Sequence, residues 1–316
     1  MFDTSMLMML TTLTPAHPGS GTELSYVDMP IQREIHTGFP KIEAATLKGC
    51  IRNEVTDRHK EKKEKINQIF GAPDGGDFAS AVSFSDARLL FFPVKSVVGV
   101  FAWITCPLAL ERFVQECQML GSNGKFPEIN KPDMGTVSVA DESTCRLIQQ
   151  IKGQNKIMLE DYTFIAEPDH NFKRMTEIIQ RFLPENRLLK NSFTERVVCL
   201  SDDDFTDFVQ HSTEVNARIR VNAETGTAAD NALFTEEMLP SDSILYSLIF
   251  FTDTYLSQKS QEKDREQRMT ASGVRDEFKT LFDSELFQIG ADSTLGKGIV
   301  MKKTTDGRDI NVTEFT

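Results

Sequence analysis

The chain has 316 residues, 40 % hydrophobic and 26 % charged, with 35 Lys and Arg against 47 Asp and Glu and a net charge of −12. That length buries a large core in one or two globular domains, and the acidic balance excludes a uniformly basic nucleic-acid-binding surface. The balance is uneven, however: residues 1–66 hold nine Lys and Arg and nine Asp and Glu, so the whole acidic excess lies downstream.

A neutral N-terminal segment with local cation clusters can still meet RNA while acidic surfaces elsewhere face solvent or protein. The five cysteines, at 50, 106, 117, 145 and 199, form no C-x-x-C pair. That gives no zinc signature and fits a reduced cytoplasm. The N-terminus lacks a basic flank and an A-x-A-like site, so no signal peptide is expected.

In chain order, the apolar run Met6–Leu13 reads as a buried strand ending at Pro15. His17-Pro18-Gly19-Ser20-Gly21 follows, where two glycines around a serine let N–H groups and a hydroxyl face an anion, or simply make a tight turn. Pro30 biases Met29 towards extended backbone, which keeps Asp28 out of a helix and on an exposed loop. An acid there is either available for chemistry or merely solvated. Ile31–Phe39 carries Arg33, Glu34 and His36, and a helix is expected from about Ala44 to Asn53. Four residues apart on it, Lys48 and Arg52 share a face and can meet phosphates together.

The mixed-sign run Asp57–Lys65 reads as the solvated side of a helix, and Gly71–Asp77 as a loop. Leu89–Leu110 has one charge in 22 residues, long enough to span a bilayer. Pro93, Lys95, Ser96, Gly99 and Pro107 divide it, so two buried strands joined at Lys95-Ser96 and a helix Pro107–Leu120 are expected, with no membrane span. Gly121–Thr136 reads as an irregular connection, Lys156–Ala166 as one strand, Asn171–Leu183 as an amphipathic helix, Glu195–Leu200 as a strand and Asp202–His211 as a helix. Val215–Asn222 alternates, placing Asn216, Arg218 and Arg220 on one side of an exposed hairpin that turns at Glu224-Thr225-Gly226. A strand over Ser243–Thr252, a long polar helix over Gln258–Phe282, and a glycine loop with a strand over Gly290–Lys303 close the chain.

Strands and helices do not alternate in a steady βαβα rhythm, so the fold class is α+β, with a ferredoxin-like or RRM-like core bearing large insertions. Gly296-Lys297-Gly298 is not a phosphate-binding P-loop: the spacing from Gly290 is one residue too long, Gly298 stands where Ser or Thr would hold magnesium, and a strand follows. No G-x-S-x-G or H-E-x-x-H occurs, and His17, His36, His59, His170 and His211 are scattered.

The ordered series HPGSG, VDMPIQRE, HTGFP and LKGCIR, with GADSTLGKGIV near the end and LFTEEMLPSDSILYSLIFF between, resembles the target-RNA-cleaving backbone subunits of type III-B CRISPR Cmr complexes, in the RAMP superfamily. The series departs from that pattern only modestly, at Cys50. The resemblance implies one domain over 1–316, an RRM-like palm with an inserted finger region and a β-hairpin thumb at about 213–240. It implies a guide-directed endoribonuclease that polymerises along CRISPR guide RNA, contacts complementary target RNA and other Cmr-complex subunits, and uses a divalent metal ion, Mg2+. It assigns cleavage to Asp28 and RNA binding to His17, Gly19, Ser20, Gly21, Arg33, Lys48, Arg52, Arg218, Gly296 and Lys297. RNA suits a chain without a paired nucleophile and base, because the substrate's 2′-hydroxyl attacks and one carboxylate suffices to bind metal or accept a proton. The competing expectation is a catalytically silent RNA-binding subunit; a small-molecule nucleotide enzyme is disfavoured by the missing phosphate motifs.

Overall fold

Alternation within the first strand (β1, Thr4–Thr12) sets the architecture, because Met6, Met8 and Leu10 enter one core while Leu7 and Met9 enter another. A strand apolar on both sides must lie inside a sheet covered on both faces. The computed structural model describes residues 4–22, 27–72, 79–221, 228–255 and 268–312. After β1 come β2 (Lys41–Ile42), α1 (Ala44–Arg58), α2 (Lys63–Phe70), β3 (Val82–Phe84), β4 (Ala87–Lys95), β5 (Phe101–Thr105) and α3 (Pro107–Met119). The middle of the chain forms β6 (Thr136–Val139), β7 (Gln149–Ile151), β8 (Gln154–Leu159), β9 (Tyr162–Pro168), α4 (His170–Phe182), α5 (Arg187–Arg196), β10 (Val197–Cys199) and α6 (Asp202–His211). Then follow the hairpin β11 (Glu214–Val221) and β12 (Ala228–Met238), β13 (Ile244–Phe251), α7 (Ala271–Leu281), β14 (Leu286–Gln288) and β15 (Ile299–Asp306).

The sheet centre reads β15-β1-β13-β4, each neighbour antiparallel. In chain order these are the first, second, third and fourth strands of a βαββαβ unit, β1-α1-β4 and β13-α7-β15, and the spatial order 4-1-3-2 is that of a ferredoxin-like palm. Both crossover helices lie on one face: Leu47, Ile51 and Val55 of α1 and Val274, Phe278 and Leu281 of α7 share a core with Met6, Met8 and Leu10. On the other face α3, α4 and α5 supply Phe113, Phe172, Ile179 and Phe193 to the core of Leu7 and Met9. Everything from β5 to β12 is inserted between the second and third palm strands. It extends the sheet as β5-β10-β6-β9-β8-β7 and adds the separate hairpin β11-β12. The α+β reading with a palm, an insertion and a thumb hairpin is therefore the observed architecture.

Several local expectations change. Lys156–Ala166 is two strands, because Glu160 takes φ 49° at the turn between β8 and β9. The charge run is broken at His59 (φ −126°) into the end of α1, a 3-10 turn and α2. Arg187–Arg196, unassigned from sequence, is a helix whose Asn186 side chain accepts from the Leu188 N–H at 2.7 Å. The described helix near the C-terminus starts only at Ala271, capped by Thr270; the earlier part of the expected Gln258–Phe282 helix, over 258–267, lies outside the described residues. So do Glu224-Thr225-Gly226 and most of the Gly71–Asp77 loop. Leu89–Leu110 is β4, β5 and the start of α3, as expected, and no described helix is long and apolar enough to cross a membrane.

Candidate functional site

The loop after β1 folds back on the base of the hairpin. Ala16 and Leu239 exchange both backbone hydrogen bonds at 2.9 and 2.8 Å, and Met29 adds to β12, donating to the Thr235 carbonyl and accepting from Glu237, each at 3.0 Å. The extended backbone that Pro30 imposes is what lets Met29 act as this extra strand residue. Asp28 is thereby held at the edge of β12 and exposed to solvent. Its Oδ2 accepts from the Thr235 N–H at 2.7 Å and the Thr235 hydroxyl at 2.8 Å, and its own N–H donates to that hydroxyl oxygen at 3.0 Å. The Thr235 amide, with the hydroxyl beside it, holds the Asp28 carboxyl below the usual carboxylate range. No other described residue donates to Oδ1, which remains for a ligand.

Beneath this surface lies a buried polar layer that the sequence reading missed. Glu237, 6 % exposed, takes the Arg33 guanidinium, the Ile31 N–H at 3.0 Å and the Thr213 hydroxyl at 2.7 Å. Arg33 also donates to the carbonyls of Gly38 (2.8 Å) and Val209 (2.9 Å). His17 is buried, with Nδ1 2.7 Å from the Glu237 carbonyl and Nε2 3.6 Å from Glu236 Oε1. Gly19 closes over that ring: a Cβ there would stand 2.6 Å from Nε2. Arg218 pairs bidentately with Asp292 at 2.8 and 2.6 Å and reaches Glu236 at 2.9 Å, tying the hairpin to the glycine-rich loop. Burial pushes the Glu236 carboxyl up, whereas the Arg218 guanidinium holds Asp292 down.

Four of the residues expected to contact RNA are engaged within the protein by these bonds. Arg33 and His17 are turned inward because Glu237 and Glu236 are buried beside them and need partners. Arg218 faces the glycine loop, while the apolar side of β11 faces out, with Val215 and Ile219 about half exposed. Ser20 is exposed, but its N–H and hydroxyl both go to the Pro30 carbonyl, at 3.1 and 3.2 Å, so the predicted cradle loses two donors. The missed carboxylates carried a signal: Glu236-Glu237 is an adjacent acidic pair between the apolar residues Leu233-Phe234 and Met238-Leu239.

The remaining predicted residues stay accessible or partly so. Gly21 (φ 110°) and Gly296 (φ 71°) have no atom within 4 Å of a Cβ position, leaving room for a backbone to approach. Lys297 follows Gly296 on the loop that Asp292 anchors. Lys48 and Arg52 do share a face of α1: burial, and next the neighbouring Arg52 charge, lower the Lys48 ammonium's pKa. Lys48 donates to Ser80 Oγ (2.6 Å) and Arg52 to Asn67 Oδ1 (3.0 Å). Arg52, His59, Lys60 and Lys63 line an open cleft of about 450 Å³ between α1 and α2, with no carboxylate in its wall. Among the described residues no group of three or more His, Cys, Asp or Glu is placed to hold a metal ion. The described residues thus form no preformed metal cage.

Comparisons with known proteins agree with this architecture. Residues 9–301 match the RAMP superfamily. The chain is 38 % identical over 298 residues to the CRISPR system Cmr endoribonuclease Cmr4 of Pyrococcus furiosus, covering 93 % of both chains. The crystal structure of oligomeric Cmr4 from Pyrococcus furiosus superposes with a TM-score of 0.70 at 31 % identity, covering 96 % of this chain and 99 % of that one. A chain of the Type III-B Cmr-beta complex bound to cognate target RNA shares the fold, with a TM-score of 0.72 at 18 % identity over 97 % of this chain and 98 % of that one. With the palm order, the thumb hairpin and the end-to-end match together, the chain belongs to the RAMP superfamily and, within it, to the family of the Cmr4 subunits of CRISPR systems.

Proposed function

We propose that this protein is a backbone subunit of a type III-B CRISPR effector complex that binds guide RNA and cuts complementary target RNA at Asp28. The observation that carries the reading is the state of Asp28: exposed, ionised and fixed by Thr235 where the thumb hairpin meets the HPGSG loop. A buried carboxylate could not reach a phosphodiester, and a free one would have no defined direction.

The chemistry follows from RNA itself. The 2′-oxygen attacks the adjacent phosphorus as the 2′-hydroxyl proton passes to Asp28 Oδ1, the bond to the 5′-oxygen breaks, and that oxygen takes a proton from solvent water, leaving a 2′,3′-cyclic phosphate and a 5′-hydroxyl end. The protein's main task is to bend the backbone into line, which the outward hairpin and the open glycine loops are shaped to do. Where a divalent ion such as Mg2+ is bound, Asp28 would be the carboxylate that holds it, in place of accepting the proton, with water and phosphate as its further ligands; the ion would supply charge neutralisation at the phosphate. Guide RNA is held by Lys48, Arg52, Lys297 and the loops at Gly19, Gly21 and Gly296, while His17, Arg33 and Arg218 hold those loops in shape. Base pairing with the guide selects the target, since the described residues of the site present no set of base-reading side chains. Copies stack head to tail along the guide, beside other Cmr-complex subunits, in the cytoplasm that five unpaired cysteines suit.

The test is Asp28→Asn in a complex reconstituted with guide RNA and partner subunits. Cutting of a complementary RNA in magnesium should collapse while guide and target binding persist, and a non-complementary RNA should survive with wild type. Wild-type cutting by Asp28→Asn would leave a silent RNA-binding subunit.

A further inference from the structure

We infer that Thr235 is a positioning residue for cleavage: from the thumb strand β12 it fixes which oxygen of Asp28 faces the RNA, making the cut depend on a docked hairpin. This rests on the assignment of cleavage to Asp28.

Three bonds join the two residues, and two of them take up the Thr235 hydroxyl and amide hydrogens. The hydroxyl oxygen accepts from the Asp28 N–H (3.0 Å) while its proton goes to Oδ2 (2.8 Å), and the Thr235 N–H goes to the same Oδ2 (2.7 Å). Oδ2 is thus doubly occupied, and Thr235 leaves Oδ1 to other partners. Without these bonds an exposed aspartate exchanges its two oxygens among rotamers within nanoseconds. The side-chain pair is also a bridge between two parts of the fold. Asp28 lies on the palm loop, whereas Thr235 lies on the hairpin, opposite Ala217 of β11. The hairpin is itself pinned from its other face by Arg218 to Asp292. The Asp28 carboxylate is oriented only while Met29 and Thr235 are paired on β12, so cutting depends on the docked hairpin.

Rescue by a residue that keeps the hydroxyl provides a readout that a merely structural threonine would not move. Single-turnover cutting of a complementary RNA is measured for wild type, Thr235→Val, Thr235→Ser and Asp28→Asn in assembled complexes, with guide and target affinity measured alongside. Thr235→Val should cut on the order of 10-fold more slowly and bind both RNAs as wild type does. Thr235→Ser, which keeps the hydroxyl, should restore the rate. If Thr235→Val does not assemble, Thr235→Ala, which adds no bulk, carries the same expectations. Wild-type rate in Thr235→Val or Thr235→Ala, beside an inactive Asp28→Asn, overturns the positioning role and leaves the Asp28 assignment standing. Equal impairment of Thr235→Ser and Thr235→Val also overturns it. Wild-type cutting by Asp28→Asn overturns the assignment, and the positioning role with it.

Discussion

A Cβ on Gly290 would stand 2.3 Å from the carbonyl oxygen of His17, and the same carbonyl accepts the Ala291 N–H at 3.1 Å. The HPGSG loop and the glycine-rich loop, some 270 residues apart in sequence, therefore touch through bare backbone. Any side chain at 290 would push them apart.

Gly290→Ala should accordingly cost about 2–4 kcal/mol of stability, from a positive φ and an overlap with rigid backbone together. Gly296→Ala, where φ is also positive but the space is open, should cost only about 1 kcal/mol. Urea unfolding of the two variants checks the ranking; equal losses would mean that the loops are not in contact through Gly290.

Removing Arg33 should lower stability rather than RNA affinity. Glu237 is buried and loses its guanidinium in Arg33→Ala, which costs on the order of 3–5 kcal/mol. Guide RNA affinity per folded molecule should stay near wild type. A variant of unchanged stability and reduced affinity would return Arg33 to the RNA-contacting set.

Lys48→Ala with Arg52→Ala should weaken guide RNA binding for every sequence and flatten the dependence of log affinity on log salt by about 2. Filter binding from low to moderate salt measures this. Unchanged affinity and slope would assign both cations to holding Ser80 and Asn67 alone.

Lys302 offers a pH test within the core of the palm. Burial lowers its pKa to about 8, although its ammonium lies 4.2 Å from the Phe282 ring centre and donates to the Phe282 carbonyl at 2.9 Å. Between about pH 8 and 10.4 the unfolded chain binds more protons at this group than the folded one, so its contribution to stability rises with pH through that window. Lys302→Met should remove that rise and leave stability at pH 7 equal or higher by about 1–3 kcal/mol. A variant whose stability keeps the wild-type rise from pH 8 to 10 would contradict the assignment.

Sequence alone determined a good deal here, for reasons that are local. Alternation and apolar runs place β1, β4, β5, β11 and β13, since period 2 and burial are written into consecutive residues. Pro30 keeps Asp28 on extended, exposed backbone. The order of the glycine and proline motifs gives the family, and with it the palm and thumb. Tertiary structure decided what each polar residue does. Arg33, His17 and Arg218 read as cations beside RNA loops, but Glu236, Glu237 and Asp292, more than 180 residues downstream of His17 and Arg33, claim them once the hairpin returns to the palm. Thr235 could not be linked to Asp28 from the sequence, because the two lie 207 residues apart and meet only when Met29 adds to β12. Burial decides which polar groups must find partners inside the fold, and which groups are buried is a property of the packed chain and not of any segment of it.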